Sequence, residues 1–117
     1  MCEGITKVLL DYGHENLEKT LPGKTKPIEN ILEIGPGVNP HLRFVRQKFQ
    51  KYFFAETFDY AVDYLTNKFA DNECVEVDKY DGFSLNYESS SFDRVIICHT
   101  LEHIPNPEKM LFEMDRV

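Results

Sequence analysis

The stretch NILEIGPGVNP constrains the fold of this chain more than any other. It opens with an apolar run at 31–34, which is typical of a short strand covered on both faces. Gly35 and Gly37 follow, and they allow the positive φ angles and close backbone approach of a tight turn. Asn39 is then expected to cap a helix that begins at Pro40, because proline has no N–H to leave unpaired there. The pattern predicts a strand, a glycine turn and a helix start, where free N–H groups point at one spot and a ligand can sit.

Two features of this turn bear on the type of ligand. A dinucleotide fingerprint requires Gly-x-Gly-x-x-Gly, and Pro40 stands at the position of the third glycine. Glu33 lies at the strand tip, where its charge would repel a pyrophosphate but suit a cationic or hydroxyl-rich ligand. An NAD-dependent oxidoreductase is therefore disfavoured, while a generic turn of any Rossmann-like domain stays open.

Two further strands are predicted to end at acidic residues. An aromatic strand at 52–55 ends at Glu56, which lies 19 residues after Gly37 (56 − 37), near the ~20 expected for an acid that binds a ribose diol. A carboxylate suits that task because it accepts hydrogen bonds from both hydroxyls. A solvated acid at a strand end is the alternative. A third strand at 74–77 ends at Asp78. Helical spacing predicts helices over 42–49 and 59–69.

The chain also contains a long segment, Ser91–Pro107, around its most apolar run, Val95–Cys98. Glu33-Ile34-Gly35-Pro36-Gly37 resembles the first motif of class I S-adenosylmethionine-dependent methyltransferases. The Ser-Phe-Asp and Leu-Glu-His-Ile-Pro parts of the later segment resemble the small-molecule-type members of that family, including those of quinone biosynthesis. The resemblance implies an α/β fold: a Rossmann-like parallel sheet, strand order 3-2-1-4 in the part present, flanked by helices, with the C-terminal strands of the full fold missing.

The resemblance also implies a cofactor, S-adenosyl-L-methionine, and a set of residues that hold it. These are Glu33, Gly35, Pro36, Gly37, Glu56, Asp78 and His99. Asp78 matches the place of an acid that contacts the adenine amino group in the family.

His99 and His103 are candidates for orienting a substrate or taking a proton from it. Methyl transfer itself depends mainly on positioning, because the sulfonium already supplies the leaving group. His99, Glu102 and His103 resemble the metal-binding Glu-x-x-Glu-His of small-RNA 2′-O-methyltransferases. The first position differs, however, and no metal site is expected.

Composition limits the partners. The net charge of −7 argues against nucleic acid and favours a small-molecule methyl acceptor. The alternative is a non-catalytic cofactor-binding or regulatory module completed by a partner chain. No apolar run approaches membrane-spanning length. Three widely separated cysteines, Cys2, Cys74 and Cys98, fit a reducing cytoplasm better than a disulfide framework.

The chain is predicted to have an N-terminal helical segment and linker over 1–27, followed by a partial cofactor-binding domain over 28–117. The first helix is expected at 5–12, with Gly13 as its C′ residue and a second helical turn at 15–19. The strand at 94–98 would expose an apolar edge, which predicts a homodimer or a partner chain across it.

The last predicted helix begins at Pro107 after the capping residue Asn106. Its inner face is predicted to consist of Met110, Leu111, Met114 and Val117.

Overall fold

The computed structural model describes residues 13–19, 21 and 26–117. Residues 13–19 form a helix, α1. The further elements are β1 (Ile28–Ile34), β2 (Phe49–Glu56), α2 (Asp59–Lys68), β3 (Val75–Lys79), β4 (Arg94–Ile97) and α3 (Pro107–Arg116). The four strands are parallel and lie in the order β3-β2-β1-β4. The predicted α/β class and strand order are therefore confirmed.

Strand β1 lies between β2 and β4, and both of its faces are covered. Ile31 belongs to an apolar cluster that includes Leu65 of α2. Leu32 and Ile34 belong to a second cluster that includes Met110 of α3. All three β1 side chains have no exposed surface, and each such burial contributes about 1.5–3 kcal/mol to folding. This core holds the carboxyl end of β1 and the glycine turn in place.

The helix predicted over 42–49 is wrong. The structure has only a single 3-10 turn at His41–Phe44, and the backbone is extended again at Val45. Pro40 occupies the N-cap position without a side-chain cap, so Asn39 does not cap a helix. Phe49 instead begins β2, in register with Ile28 of β1. Pairing with β1 overrides the helical spacing of the apolar residues.

Helices α2 and α3 largely follow their predicted patterns. Ala61 and Leu65 of α2 are buried, as predicted. Asn106 caps α3, because its side chain accepts a hydrogen bond of 3.1 Å from the backbone N–H of Lys109. Leu111, however, is 51% exposed, so its assignment to the inner face of α3 is wrong.

The N-terminal predictions are tested only in part. Residues 15–19 are helical, as predicted, but Gly13 also lies within α1 and does not end a helix. The predicted helix at 5–12 lies outside the described residues. No helix in the described part of the chain is long and apolar enough to cross a membrane.

Candidate cofactor site

A cavity of about 440 Å³ lies at the carboxyl ends of the parallel strands. This is the edge where open α/β sheets bind ligands, and the volume is within the range of small-molecule sites. Its lining comes from the glycine turn, from the residues after β2 and β3, and from the segment after β4. The residues are Gly35, Gly37, Glu56, Thr57, Phe58, Tyr60, Tyr80, Gly82, His99, Thr100, His103, Ile104 and Pro105.

The glycine turn forms one wall of this cavity. Gly35 has a φ of 63° and Gly37 a φ of 58°, both in the left-handed region that favours glycine. A Cβ added at Gly35 would lie 2.3 Å from Cγ2 of Thr100, whereas one added at Gly37 would meet nothing within 4 Å. The Thr100 hydroxyl donates a hydrogen bond of 2.8 Å to the carbonyl of Gly35. Gly35 is thus required by packing, while Gly37 borders open space that a ligand can occupy.

Glu56 braces the other side of the turn. Its Oε1 accepts a hydrogen bond of 2.9 Å from the N–H of Gly37. Its Oε2 accepts one of 3.1 Å from the N–H of Phe58 and another from the N–H of Thr57. The side chain is buried, yet it lines the cavity, so the structure brings together the glycine turn and the acid that the spacing singled out.

Glu33 lies behind the turn and not among the cavity-lining residues. Its carboxylate accepts hydrogen bonds of 2.9 and 3.0 Å from the N–H of His41 and one of 2.7 Å from the Tyr52 hydroxyl. Burial raises the pKa of Glu33 to about 7. The structure therefore gives Glu33 a role in holding the chain after the turn. Pro36 is also outside the lining, and its carbonyl accepts the N–H of Asn39 at 3.3 Å.

Asp78 also lies outside the cavity. It is within β3 and lines a separate depression, where its Oδ2 accepts a hydrogen bond of 2.7 Å from the Tyr87 hydroxyl. Tyr80, which directly follows this strand and is buried, reaches the cavity together with Gly82. Burial, together with the charge of Glu56, raises the pKa of Tyr80 to about 12, so the hydroxyl keeps its proton at neutral pH.

His99 and His103 both line the cavity but in different settings. His99 lies two residues after β4 and has a φ of 56°, an uncommon conformation for a residue with a side chain. Its ring contacts that of His14 edge-on, with centroids 5.4 Å apart. The His103 side chain is 76% exposed and lies 3.7 Å from Glu102. Among the described residues, His99, Glu102 and His103 do not form a metal-binding group.

Sequence reasoning missed several lining residues. Thr57, Phe58 and Tyr60 directly follow Glu56, while Tyr80 and Gly82 follow β3. Position alone could have identified them, because residues after parallel strands meet at one edge of the sheet. Phe58 and Tyr60 are 60% and 66% exposed, respectively, which gives the cavity an aromatic rim.

Comparison with known proteins agrees with this geometry. A family model described as a methyltransferase domain matches residues 32–117, so the chain belongs to that family. The resemblance to class I S-adenosylmethionine-dependent methyltransferases is confirmed at this level. No curated protein matches the chain.

Several solved structures have the same fold, and some of them are described as methyltransferases. The YcgJ protein from Bacillus subtilis superposes with a TM-score of 0.78 at 18% identity, over 92% of this chain and 46% of that one. A SAM-dependent methyltransferase from Aquifex aeolicus gives 0.72 at 23% identity, over 89% and 57%. A Haloferax volcanii complex of the Trm112 methyltransferase activator with a putative methyltransferase gives 0.75 at 18% identity, over 98% and 52%. The present chain thus spans about half the length of these relatives.

Proposed function

We propose that this chain binds S-adenosyl-L-methionine in the cavity beside the glycine turn and takes part in methyl transfer to a small molecule. The observation that carries the proposal is the position of Glu56. Its buried carboxylate lines the cavity and contacts the N–H of Gly37 at 2.9 Å. In this position it can accept hydrogen bonds from the two hydroxyls of a ribose.

The other lining residues fit the remaining parts of such a cofactor. Gly37 leaves open space where a side chain would otherwise intrude, so a ligand can approach the backbone. The aromatic rings of Phe58 and Tyr60 offer flat apolar surface to a nucleobase. The bound cofactor supplies an activated methyl group. The chain's own residues bind the cofactor, orient it and shield it from water.

The acceptor is proposed to be a small molecule. The net charge of −7 disfavours a polyanionic partner, and the cavity rim is aromatic. His99 lines the cavity two residues after the end of β4, where it can orient an acceptor or receive its proton. His103 is the second candidate for that role. A cytoplasmic location remains a prediction.

A second candidate function is a cofactor-binding module that a partner chain completes. Two observations favour it. Within the described residues β4 pairs only with β1, so its outer edge is free to receive another strand. The Haloferax relative is a putative methyltransferase in complex with an activator, which provides a precedent for a partner.

Calorimetry with S-adenosylhomocysteine, S-adenosylmethionine and NAD tests the binding step. We expect the first two to bind and NAD not to bind. Glu56→Gln keeps the size of the side chain but replaces one acceptor by a donor, and we expect it to weaken binding by about 10–100-fold, or ~1.4–2.8 kcal/mol. Glu76→Gln is the matched control, because Glu76 is exposed on β3 and pairs with Lys51 at 3.1 Å on the surface.

A folded sample that binds neither adenosyl compound would refute the proposal. Radiolabelled methyl transfer to small-molecule fractions then separates the two candidate functions. Transfer by the chain alone supports the enzyme, whereas binding without transfer, restored by an added partner, supports the module.

A further inference from the structure

Three potential metal ligands meet outside the lining of the cavity. His14 comes from α1, His41 from the 3-10 turn that follows the glycine turn, and Cys98 from the residue after β4. One ligand atom from each lies within 4.8 Å of the others. Both histidines are fully or almost fully buried, and Cys98 is partly exposed. No feature of the cofactor cavity accounts for this cluster.

The arrangement around His41 resembles the outer shell of a metal site. Its Nε2 lies 2.6 Å from Oε2 of Glu18, and the same carboxylate is held by the guanidinium of Arg94. A carboxylate on one ring nitrogen fixes the tautomer, because it requires the proton there and leaves the other nitrogen with a lone pair. The lone pair on Nδ1 of His41 then faces His14.

The two imidazoles of the cluster are spaced close to what a metal requires. Nδ1 of His14 lies 2.8 Å from Nδ1 of His41, so the two nitrogens share one proton. In a tetrahedral zinc site with Zn–N bonds of about 2.0 Å, two nitrogens lie ~3.3 Å apart. If the two rings move ~0.5 Å further apart, an ion can take the place of the proton between them.

Nearby carboxylates and access also suit a cation. Burial and the carboxylates of Glu33 and Glu18 raise the pKa of the Cys98 thiol, and the guanidinium of Arg94, which is paired with Glu18, acts in the opposite direction. Cys98 lines a shallow depression of about 370 Å³ together with Gly13 and Asn16, and this depression provides an entry path.

We propose that His14, His41 and Cys98 bind one Zn²⁺ ion that joins α1 to the glycine-turn segment and to the end of β4. Two imidazoles and one thiolate are the ligand types that Zn²⁺ prefers, and three protein ligands leave a fourth position for water. On binding, the Cys98 thiol forms a Zn–S bond and releases its proton to solvent. His14 stays neutral and coordinates through an unprotonated ring nitrogen, so one proton is released for each ion bound. The site is independent of the proposed function.

Metal titration of the purified, chelator-treated chain tests the site. We expect one Zn²⁺ per chain, about one proton released as measured from the buffer dependence of the calorimetric heat, and a thiolate-to-metal charge-transfer absorption with Co²⁺. Cys98→Ala should weaken Zn²⁺ binding by more than ~10-fold and abolish that absorption. Cys74→Ala is the control, because Cys74 is exposed on the surface, and this change should not affect Zn²⁺ binding.

Two results would overturn the proposal. One is the absence of binding by the folded wild-type chain at ~0.1 mM Zn²⁺, far above the dissociation constants of structural zinc sites. The other is a Co²⁺ complex of the wild-type chain without the thiolate absorption. The second readout does not depend on any variant, so a variant that fails to fold leaves the test intact.

Discussion

The Glu56 carboxylate and the N–H of Gly37 form a hydrogen bond of 2.9 Å across 19 residues of sequence. This bond ties the carboxyl end of β2 to the turn that follows β1. The side chain proposed to hold the cofactor ribose therefore also holds the backbone beside it. A substitution at Glu56 acts on the turn as well as on ligand affinity, so the turn requires its own test.

The two turn glycines are predicted to differ in their tolerance of alanine. An L-residue at a positive φ costs about 1–2 kcal/mol, and this cost applies to both positions. At Gly35 the new Cβ also clashes with Cγ2 of Thr100 at 2.3 Å, which adds a packing cost. We expect Gly35→Ala to reduce the free energy of unfolding by roughly 2–5 kcal/mol and Gly37→Ala by about 1–2 kcal/mol, as measured by urea denaturation.

The Thr100 contact provides a control for this comparison. Thr100→Ser removes Cγ2 and retains the hydroxyl that bonds to the Gly35 carbonyl. Added to Gly35→Ala, it should restore about 1 kcal/mol or more of the loss. Equal losses for the two glycine variants would show that the contact with Thr100 relaxes without cost.

The buried carboxyl of Glu33 predicts a pH dependence of stability. Burial raises its pKa from the ordinary 4.5 to about 7 in the folded chain. Between these values the folded state binds more protons than the unfolded state, so this group's contribution is complete below pH 4.5 and is lost as the pH rises through 7. Glu33→Gln removes this titration. We therefore expect the free energy of unfolding of the variant to rise relative to that of the wild type by up to ~3 kcal/mol between pH 4.5 and 7, as measured by urea denaturation at each pH.

The difference between the two proteins isolates Glu33. Other titrating groups, including His41, whose pKa is lowered chiefly by burial, are present in both. A glutamine at this position can still accept the N–H of His41 and donate to Tyr52. Parallel stability curves for the two proteins over this range would mean that Glu33 is ionised throughout.

Glu18 is predicted to act in the opposite direction and at lower pH. Burial tends to raise its pKa, but the hydrogen bonds from Arg94 and His41 outweigh it and lower the pKa to about 2. The stabilisation of the folded state by Glu18 is therefore present above pH 4.5 and is lost as the pH falls towards 2. Because Glu18→Gln leaves the partly buried Arg94 without its buried carboxylate partner, we expect the free energy of unfolding at pH 7 to fall by roughly 2–4 kcal/mol in urea denaturation.

Glu76→Gln is the surface control for this experiment. Its ion pair with Lys51 is exposed to solvent, so it should change the free energy of unfolding by less than ~1 kcal/mol. If Glu18→Gln were no more disruptive than this control, the buried network would have relaxed around a neutral side chain.

The parts of this fold that could be predicted from sequence are those with local patterns. Glycines after an apolar run placed β1 and its turn, and the spacing to Glu56 identified an acid that lies at the same cavity. The helix over 42–49 was mispredicted because its apolar residues have helical spacing, while the decisive interaction is pairing of Phe49 with Ile28 across the sheet. Periodicity does not contain that information.

The surroundings of the acidic residues depend on tertiary structure. Glu33 was expected to contact the ligand, but His41 and Tyr52 engage its carboxylate from elements that the sequence does not show to be neighbours. The same holds for His14 and Cys98, which come together only because α1 lies against the end of β4. Such contacts join residues far apart in sequence, so no local sequence pattern predicts them.

The two edge strands of the described sheet predict where the chain associates. Strand β3 carries Glu76, Asp78 and Lys79, whereas β4 carries one charged residue, Arg94, followed by an apolar run. Charged side chains oppose pairing of edges, and an apolar edge favours it. We expect the chain to dimerise or aggregate through β4, with a sedimentation coefficient that rises over a concentration series.

Matched substitutions on the two edges locate this association. Val95→Lys places a charge on β4, and its aliphatic stem can stay against the sheet while the ammonium reaches water. Val75→Lys makes the same change on β3. Both variants lose similar packing, so a shift towards monomer in the β4 variant alone would assign the association to that edge. A wild-type chain that sediments as a monomer at every concentration would contradict the prediction, since no second chain would then be pairing with the outer edge of β4.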